Sequence, residues 1–193
     1  MALGRGLGGD MKRFALVLAL FPAAALAAEY LELVESKVYE TSGTAAEIAK
    51  RGETCIARIV RNDAVRISDS ASNLGGFGQP KRSTDQMSGG PVIVSSDPAA
   101  GIVVANSRVN WSRMLSAQVT QSTLTFMSKD GRFKIQHTNI GTLQLSTGYA
   151  ENEGFTRQGK WTGSAWEKVE KALLETSDKV AQCVMAPPAN DAW

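Results

Sequence analysis

The stretch that decides the fold runs from Leu115 to Ile140, LSAQVTQSTLTFMSKDGRFKIQHTNI. It predicts two strands joined at Asp130-Gly131, because Asp-Gly between alternating residues favours a type I′ hairpin turn with positive φ at both positions. A two-residue turn there sets four facing pairs: Lys129 with Arg132, Ser128 with Phe133, Phe126 with Ile135, and Leu124 with His137. The chain is therefore predicted to be built around this hairpin.

The hairpin has one apolar face and one wetter face, since successive side chains of a strand point to opposite sides. The apolar side chains are Leu124, Phe126, Phe133 and Ile135. The other face carries Thr125, Met127, Lys134 and Gln136. This pattern is typical of an antiparallel sheet that is covered on one side only. We predict that Thr125, Lys134 and Gln136 belong to an uncovered face that binds a partner.

Two segments have the patterns of amphipathic helices. Thr44 to Glu47 is a capping-box spacing, and the apolar or small positions that follow it recur at helical intervals: Ile48, Gly52, Cys55, Ile56 and Ile59. Gly52 on this stripe indicates a close approach to the sheet. Ser164 to Glu167 predicts a second capping box, followed by the stripe Trp166, Val169, Leu173, Val180 and Val184. Thr176 and Ser177 interrupt that stripe, which predicts partial exposure of its middle.

The remaining chain predicts further strands and one long loop. Alternation and β-branched residues indicate strands at Leu31–Val38, 64–67, 91–95, 102–105 and 143–145. Ala117 and Val119 lie out of phase with Leu124, which predicts a β-bulge near Gln121. Residues 68–90 are rich in Ser and Gly and are expected to form a long loop.

The beginning of the chain resembles an export signal. Basic Lys12-Arg13 precedes an apolar run from Phe14 to Phe21 and a small-residue stretch that ends at Ala27. This is the three-part layout of a secretory signal peptide, here with residues 1–10 as an upstream extension. The run is too short for a spanning helix, which needs about 20 apolar residues. We expect residues 1–27 to be removed, and residues 28–193 to form one periplasmic or secreted domain without a membrane span.

Charge argues against nucleic acid as a partner. The 193-residue chain contains 21 Lys and Arg and 19 Asp and Glu; residues 1–27 hold three of the former and one of the latter, which leaves 18 of each. A neutral domain lacks the positive field that binding to a phosphate backbone requires.

Cys55 and Cys183 are the chain's two cysteines. In an oxidising compartment they are candidates for a disulfide between the two predicted helices. The alternative is two small buried thiols, since free cysteine is often fully buried.

The order of elements resembles that of a secreted bacterial domain family of unknown function with a TATA-box-binding-protein-like fold. The resemblance depends on Asp97-Pro-Ala-Ala-Gly101-Ile102 before a strand and on the Lys129-Asp130-Gly131-Arg132-Phe133 hairpin, and it covers about residues 31–185. It implies an α+β fold in which two helices pack on one face of a curved antiparallel sheet. It implies no activity and no catalytic residues.

Candidate catalytic groups are few. Ser88-Gly89-Gly90-Pro91 is similar to the nucleophile motif of trypsin-like proteases, but Met87 replaces its Asp and the only histidine, His137, follows the serine. Neither a metal-ligand spacing nor a cofactor motif is present. Three tryptophans, Trp111, Trp161 and Trp166, are candidates to line a ligand groove, although Trp166 also suits a core position.

These observations favour a non-enzymatic periplasmic or envelope module that binds a protein or small ligand through the open sheet face or the 68–90 loop. The alternative is a small hydrolase or thiol enzyme that uses His137.

Overall fold

The computed structural model describes residues 29–69, 83–148 and 152–186. The predicted signal segment and the middle of the predicted long loop lie outside these residues. The elements in chain order are β1 (Val34–Glu35), β2 (Tyr39–Glu40), α1 (Ala45–Ile59), β3 (Val65–Asp69), β4 (Ser83–Met87), β5 (Ile93–Asp97), β6 (Ile102–Arg113), β7 (Ser116–Lys129), β8 (Arg132–Gln144), β9 (Thr156–Arg157) and α2 (Trp166–Met185).

The main sheet is antiparallel and has the strand order β1-β8-β7-β6-β5, with β2 and β9 also pairing with β8. Strands β5 to β8 form a meander, in which each strand pairs with the next. Strands β3 and β4 form a separate two-stranded ribbon. No helix in the described part of the chain is long and apolar enough to cross a membrane.

The central hairpin has the predicted register. Lys129 pairs with Arg132, Phe126 with Ile135, and Leu124 with His137. The type I′ turn is wrong, however: Gly131 has φ of +74°, whereas Asp130 is not among the non-glycine residues with positive φ. The Asp130 carboxylate accepts a hydrogen bond of 2.7 Å from the Ala45 backbone N–H at the start of α1. The turn is thus attached to the first helix.

Both helices cover the same face of the sheet, as predicted. The Ser128 hydroxyl donates to the Ala45 carbonyl of α1 at 2.8 Å, and His137 contacts Ser177 of α2 at 3.0 Å. Ser128 and His137 lie on the apolar face of the hairpin, with Leu124 and Phe126. The chain is therefore an α+β domain with two helices on one side of an antiparallel sheet.

The apolar core lies between this face and the helices, in two clusters. The larger cluster joins α1 and the C-terminal half of α2 to β5–β8, and it includes Ile48, Ile56, Val103, Leu124, Phe126, Phe133, Ile135, Val180 and Val184. The smaller cluster joins the N-terminal half of α2 to the segment around β1, through Leu31, Val34, Ile140, Val169 and Leu173. Burial of these side chains provides most of the driving force for folding.

The two helices begin in different ways. Thr44 and Glu47 form the predicted capping box at α1. The second predicted box is wrong, because α2 is capped by Ala165 at φ of +60°, without a side-chain hydrogen bond. The Ser164 hydroxyl instead donates to the carbonyls of Gly159 and Trp161, at 2.8 and 2.7 Å. The Ser164 hydroxyl therefore closes the preceding loop and does not cap the helix.

Three strand predictions need correction. The predicted strand over Leu31–Val38 is replaced by β1 and β2, because the Ser36 hydroxyl accepts from the Ile135 N–H and interrupts the ladder. The β7–β8 ladder shifts register next to Gln121, as predicted, but the extra residue is in β8: Asn139 and Ile140 lie opposite Ser122, and Asn139 has φ of +52°. The end of the predicted long loop forms β4, which pairs with β3.

Gly52 lies where α1 meets the sheet. A Cβ built on it would be 2.7 Å from Cε1 of Phe126, a fully buried ring that stacks on Phe133. This contact explains why the helix contains glycine, in spite of a cost of about 1 kcal/mol relative to alanine in an exposed helix.

We expect Gly52→Ala to destabilise the fold by about 1–2 kcal/mol, because overpacking a rigid core outweighs the gain in helix propensity. Urea unfolding measures the change. In a Phe126→Leu background, which removes the ring, the same substitution should be neutral or stabilising. A stabilising effect in the wild-type background would show that the ring moves aside easily.

The two cysteines form a disulfide that joins α1 to α2. The Cα atoms of Cys55 and Cys183 are 5.9 Å apart, and 128 positions separate the two residues in the sequence. The sequence left open a disulfide or two buried thiols, and the structure contains the disulfide.

Candidate functional site

His137 lies at the centre of a buried polar layer between the sheet and α2. Its Nδ1 is 2.9 Å from the Ser122 hydroxyl and its Nε2 is 3.0 Å from the Ser177 hydroxyl. The Ser177 hydroxyl also lies 3.2 Å from the Leu173 carbonyl. One assignment satisfies all three contacts: Ser177 donates to Leu173, Nε2–H donates to Ser177, and Ser122 donates to Nδ1.

This layer is almost completely shielded from solvent. His137 and Ser177 have no exposed surface, and Ser122 is 5% exposed. The partial exposure predicted for Ser177 is therefore wrong. Burial lowers the pKa of His137 to about 4, so the imidazole is neutral at pH 7. A serine hydroxyl beside an imidazole resembles a nucleophile with its base, but no substrate reaches this pair in the conformation described.

The open sheet face carries the residues predicted to bind a partner. Thr125 pairs with Gln136 across β7 and β8, on the side away from the helices. Lys134 lies on the same side and forms an ion pair of 2.8 Å with Glu35 of β1. The Gln136 amide also donates to this carboxylate. Lys134 and Gln136, two of the three predicted residues, thus both donate to Glu35, a contact that no local pattern in the sequence indicates.

The charge of Lys134 on this face is compensated by Glu35. The hydrogen bonds from Lys134 and Gln136 lower the pKa of the Glu35 carboxyl, so it is ionised and compensates the ammonium group. Around this pair the face carries half-buried uncharged side chains: Val104, Thr123, Thr125, Met127 and Thr138. We call this surface, together with Glu35, Lys134 and Gln136, the open face.

A cleft lies on the opposite side of the sheet, beyond the N-terminal end of α2. It has a volume of about 450 Å³, and its wall includes Trp111 and Trp161, two of the three tryptophans singled out in the sequence. The third, Trp166, packs against the smaller core cluster instead. Strand side chains of Gln118, Thr142 and Gln144 also line this cleft. We call it the aromatic cleft.

The amide side chains of the aromatic cleft could not be found by motif reasoning. Gln118 and Gln144 face each other only because of the β7–β8 register, and their amides are 3.3 Å apart. The segment from Asn152 to Ser164, which contains β9 and has no recognisable motif, provides the other wall. Trp111 and Trp161 were the only residues by which the sequence indicated a ligand groove here.

Comparison with known proteins finds similar folds. No family model and no curated protein matches the chain. The chain is similar to the crystal structure of a DUF4468 family protein from Bacteroides ovatus, with 14% identity over 81% of this chain and 88% of that chain, and a TM-score of 0.47. It is also similar to a TBP-like protein from Parabacteroides distasonis, with 10% identity over 79% of this chain and 91% of that chain, and a TM-score of 0.44. Their names are those of the predicted resemblance: a family of unknown function and a TBP-like protein.

Proposed function

We propose that this chain is an exported, non-enzymatic binding module of the bacterial envelope, which contacts a protein partner through the open face. The observation that carries the proposal is that no element of the described chain covers this part of the sheet, while the lysine at its centre, Lys134, is paired with Glu35.

The composition of the open face suits a protein partner. The cores of protein interfaces are depleted in unpaired charge and enriched in apolar groups. Val104 and Met127 provide apolar area, and the threonines provide methyl groups together with hydroxyls that donate and accept hydrogen bonds. The face extends over β6, β7 and β8, and an extended surface is the shape that proteins use, whereas small ligands need a concave site.

Export is supported by the disulfide and by the sequence of residues 11–27. Disulfides persist in oxidising compartments and are rare in the cytosol. The Cys55–Cys183 bridge joins the two helices of the fold. A bridge between the principal elements of a domain is a structural one, and it suits a periplasmic or secreted location.

The alternative, an enzyme that uses His137, receives less support. A general base must reach the proton that it abstracts, and His137 has no exposed surface. The sulfur atoms of Cys55 and Cys183 are bonded to each other, so neither is a free thiolate. Ser88 follows β4, which belongs to the separate two-stranded ribbon and not to the sheet that carries His137, and its carbonyl accepts from Arg108.

The experiment is site-specific cross-linking in the periplasm. A photoreactive residue at Met127 should produce a heterologous adduct, and Thr125→Arg should weaken capture by about tenfold or more, because it places an unpaired charge at the centre of the interface. Ala57→Arg is the matched control, since Ala57 is exposed on α1. Capture that is equal in both variants, or an adduct with twice the mass of the chain, would contradict the proposal.

A further inference from the structure

Trp161 is an exposed aromatic side chain with a fixed position. Trp161 is 53% exposed. Its ring packs so closely on Gly159 that a Cβ added to this glycine would be 1.7 Å from Cζ3 of Trp161. The Trp161 and Tyr30 rings are also roughly perpendicular to each other, with 6.5 Å between their centroids. Ligand sites in proteins are lined predominantly by hydrophobic and aromatic side chains. An indole held in place before binding loses little conformational entropy when a ligand stacks on it.

The two amides of the aromatic cleft differ in the hydrogen bonds that they can still form. Gln118 already donates to Ser116 and to Gln144, so only its carbonyl oxygen remains as an acceptor. Gln144 donates from Nε2 to the Ser146 carbonyl at 2.6 Å and accepts at Oε1 from Gln118. A primary amide has two N–H groups and two carbonyl lone pairs. Gln144 therefore keeps one donor and one acceptor position for a ligand. Hydroxyl groups have the same dual character, so a polyol matches this site better than a purely anionic or cationic ligand.

The formal charges of the described residues at the aromatic cleft cancel: Arg157 is paired with Glu32, and the other cation of the lining, Arg113, is offset in sign by Glu153. Arg157 forms an ion pair with Glu32 and lies over the Tyr30 ring, 4.1 Å from its centroid. Arg113 donates to the Gly163 carbonyl at 2.5 Å. Among the described residues that line the cleft, Glu153 is the only carboxylate. A ligand therefore meets little net charge.

The number of carboxylates in the cleft also matters for whether it could cleave a bound sugar. Hydrolysis of a glycosidic bond generally uses two carboxyl groups, one as acid and one as base or nucleophile. The described lining provides only Glu153. Among the residues that the structure describes, the cleft has the groups to hold a sugar and a single carboxylate, which favours binding over cleavage.

From these observations we infer that the aromatic cleft is a binding site for a neutral carbohydrate, with the C–H face of a sugar ring against Trp161 and its hydroxyls on Gln118 and Gln144. The cleft volume of about 450 Å³ lies within the range of small-ligand sites. The site is on the other side of the sheet from the open face and does not depend on the partner proposed there.

The test uses isothermal titration of the purified chain with three neutral tetrasaccharides, tetra-N-acetylchitotetraose, cellotetraose and maltotetraose, up to millimolar concentration. At least one should bind and quench tryptophan fluorescence, and it should be recovered intact after overnight incubation. Trp161→Ala and Gln144→Leu should each weaken that binding by about tenfold, since stacking and hydrogen bonds to the sugar are lost.

Leu115→Ala is the matched control, because Leu115 is fully exposed at the β6–β7 turn and does not line the cleft. It should bind the sugar as the wild type does, and unchanged thermal unfolding should show that the cleft variants are folded. The inference is overturned if none of the three sugars binds. It is also overturned if Trp161→Ala binds as tightly as the wild type, or if a tetragalacturonate binds more tightly than every neutral probe.

Discussion

Acidification from pH 7 to pH 4 is expected to destabilise this fold by about 3 kcal/mol through His137 alone. Burial without a compensating negative charge lowers the pKa of His137 from 6.5 to about 4. Between these values the unfolded chain binds a proton at the imidazole and the folded chain does not. The stability that the neutral ring contributes is therefore complete above pH 6.5 and is lost as the pH falls toward 4.

Urea unfolding at a series of pH values measures this effect, and His137→Gln isolates it from the titration of carboxylates. Glutamine can keep a hydrogen bond to Ser122 or Ser177 but does not titrate. The variant is expected to be less stable than the wild type at pH 7, and the difference should shrink by about 3 kcal/mol at pH 4. A difference that stays constant with pH would mean that the folded chain accepts the proton without cost.

Removal of the Cys55–Cys183 disulfide is expected to cost about 3–5 kcal/mol, the largest effect of any change proposed for this chain. The bridge spans 128 positions, so it excludes many extended conformations of the unfolded chain. In the chain-entropy model the stabilisation grows with the length of the closed loop. Urea unfolding of Cys55→Ala/Cys183→Ala measures the loss.

Two controls separate the covalent bond from side-chain packing. Wild-type protein reduced with dithiothreitol keeps both sulfur atoms, and it should lose nearly as much stability as the double variant. Each single variant should resemble the double variant, because either one breaks the bridge. A loss below about 1 kcal/mol would indicate that the unfolded chain is already compact in this region.

Local patterns predicted the elements whose partners are close in sequence. The Asp130-Gly131 hairpin had the predicted register, because a two-residue turn leaves only one alignment of the flanking strands. The Thr44–Glu47 capping box formed as predicted, since both groups belong to the same helical turn. The Ser164–Glu167 box failed because Ser164 binds carbonyls of the preceding loop, a competition that spacing does not reveal.

The candidate sites depended more on contacts between distant residues. Thr125, Lys134 and Gln136 could be assigned to one face by alternation alone. Glu35, which compensates Lys134, is 99 positions away in the sequence and reaches it through the pairing of β1 with β8. The aromatic cleft likewise needs strands β6 to β8 and the loop after β9 to come together.

The sequence by itself determined the central hairpin, its two faces, the amphipathic helices and the neutral charge of residues 28–193. These properties follow from the period of side chains along one segment or from a sum over the chain. Only the tertiary structure decided that Ser122, His137 and Ser177 form one buried layer, that the two sulfur atoms meet, and that Gln118 and Gln144 share a cleft with Trp161. Those contacts depend on strand register and helix position, which are set by the packing of the whole core.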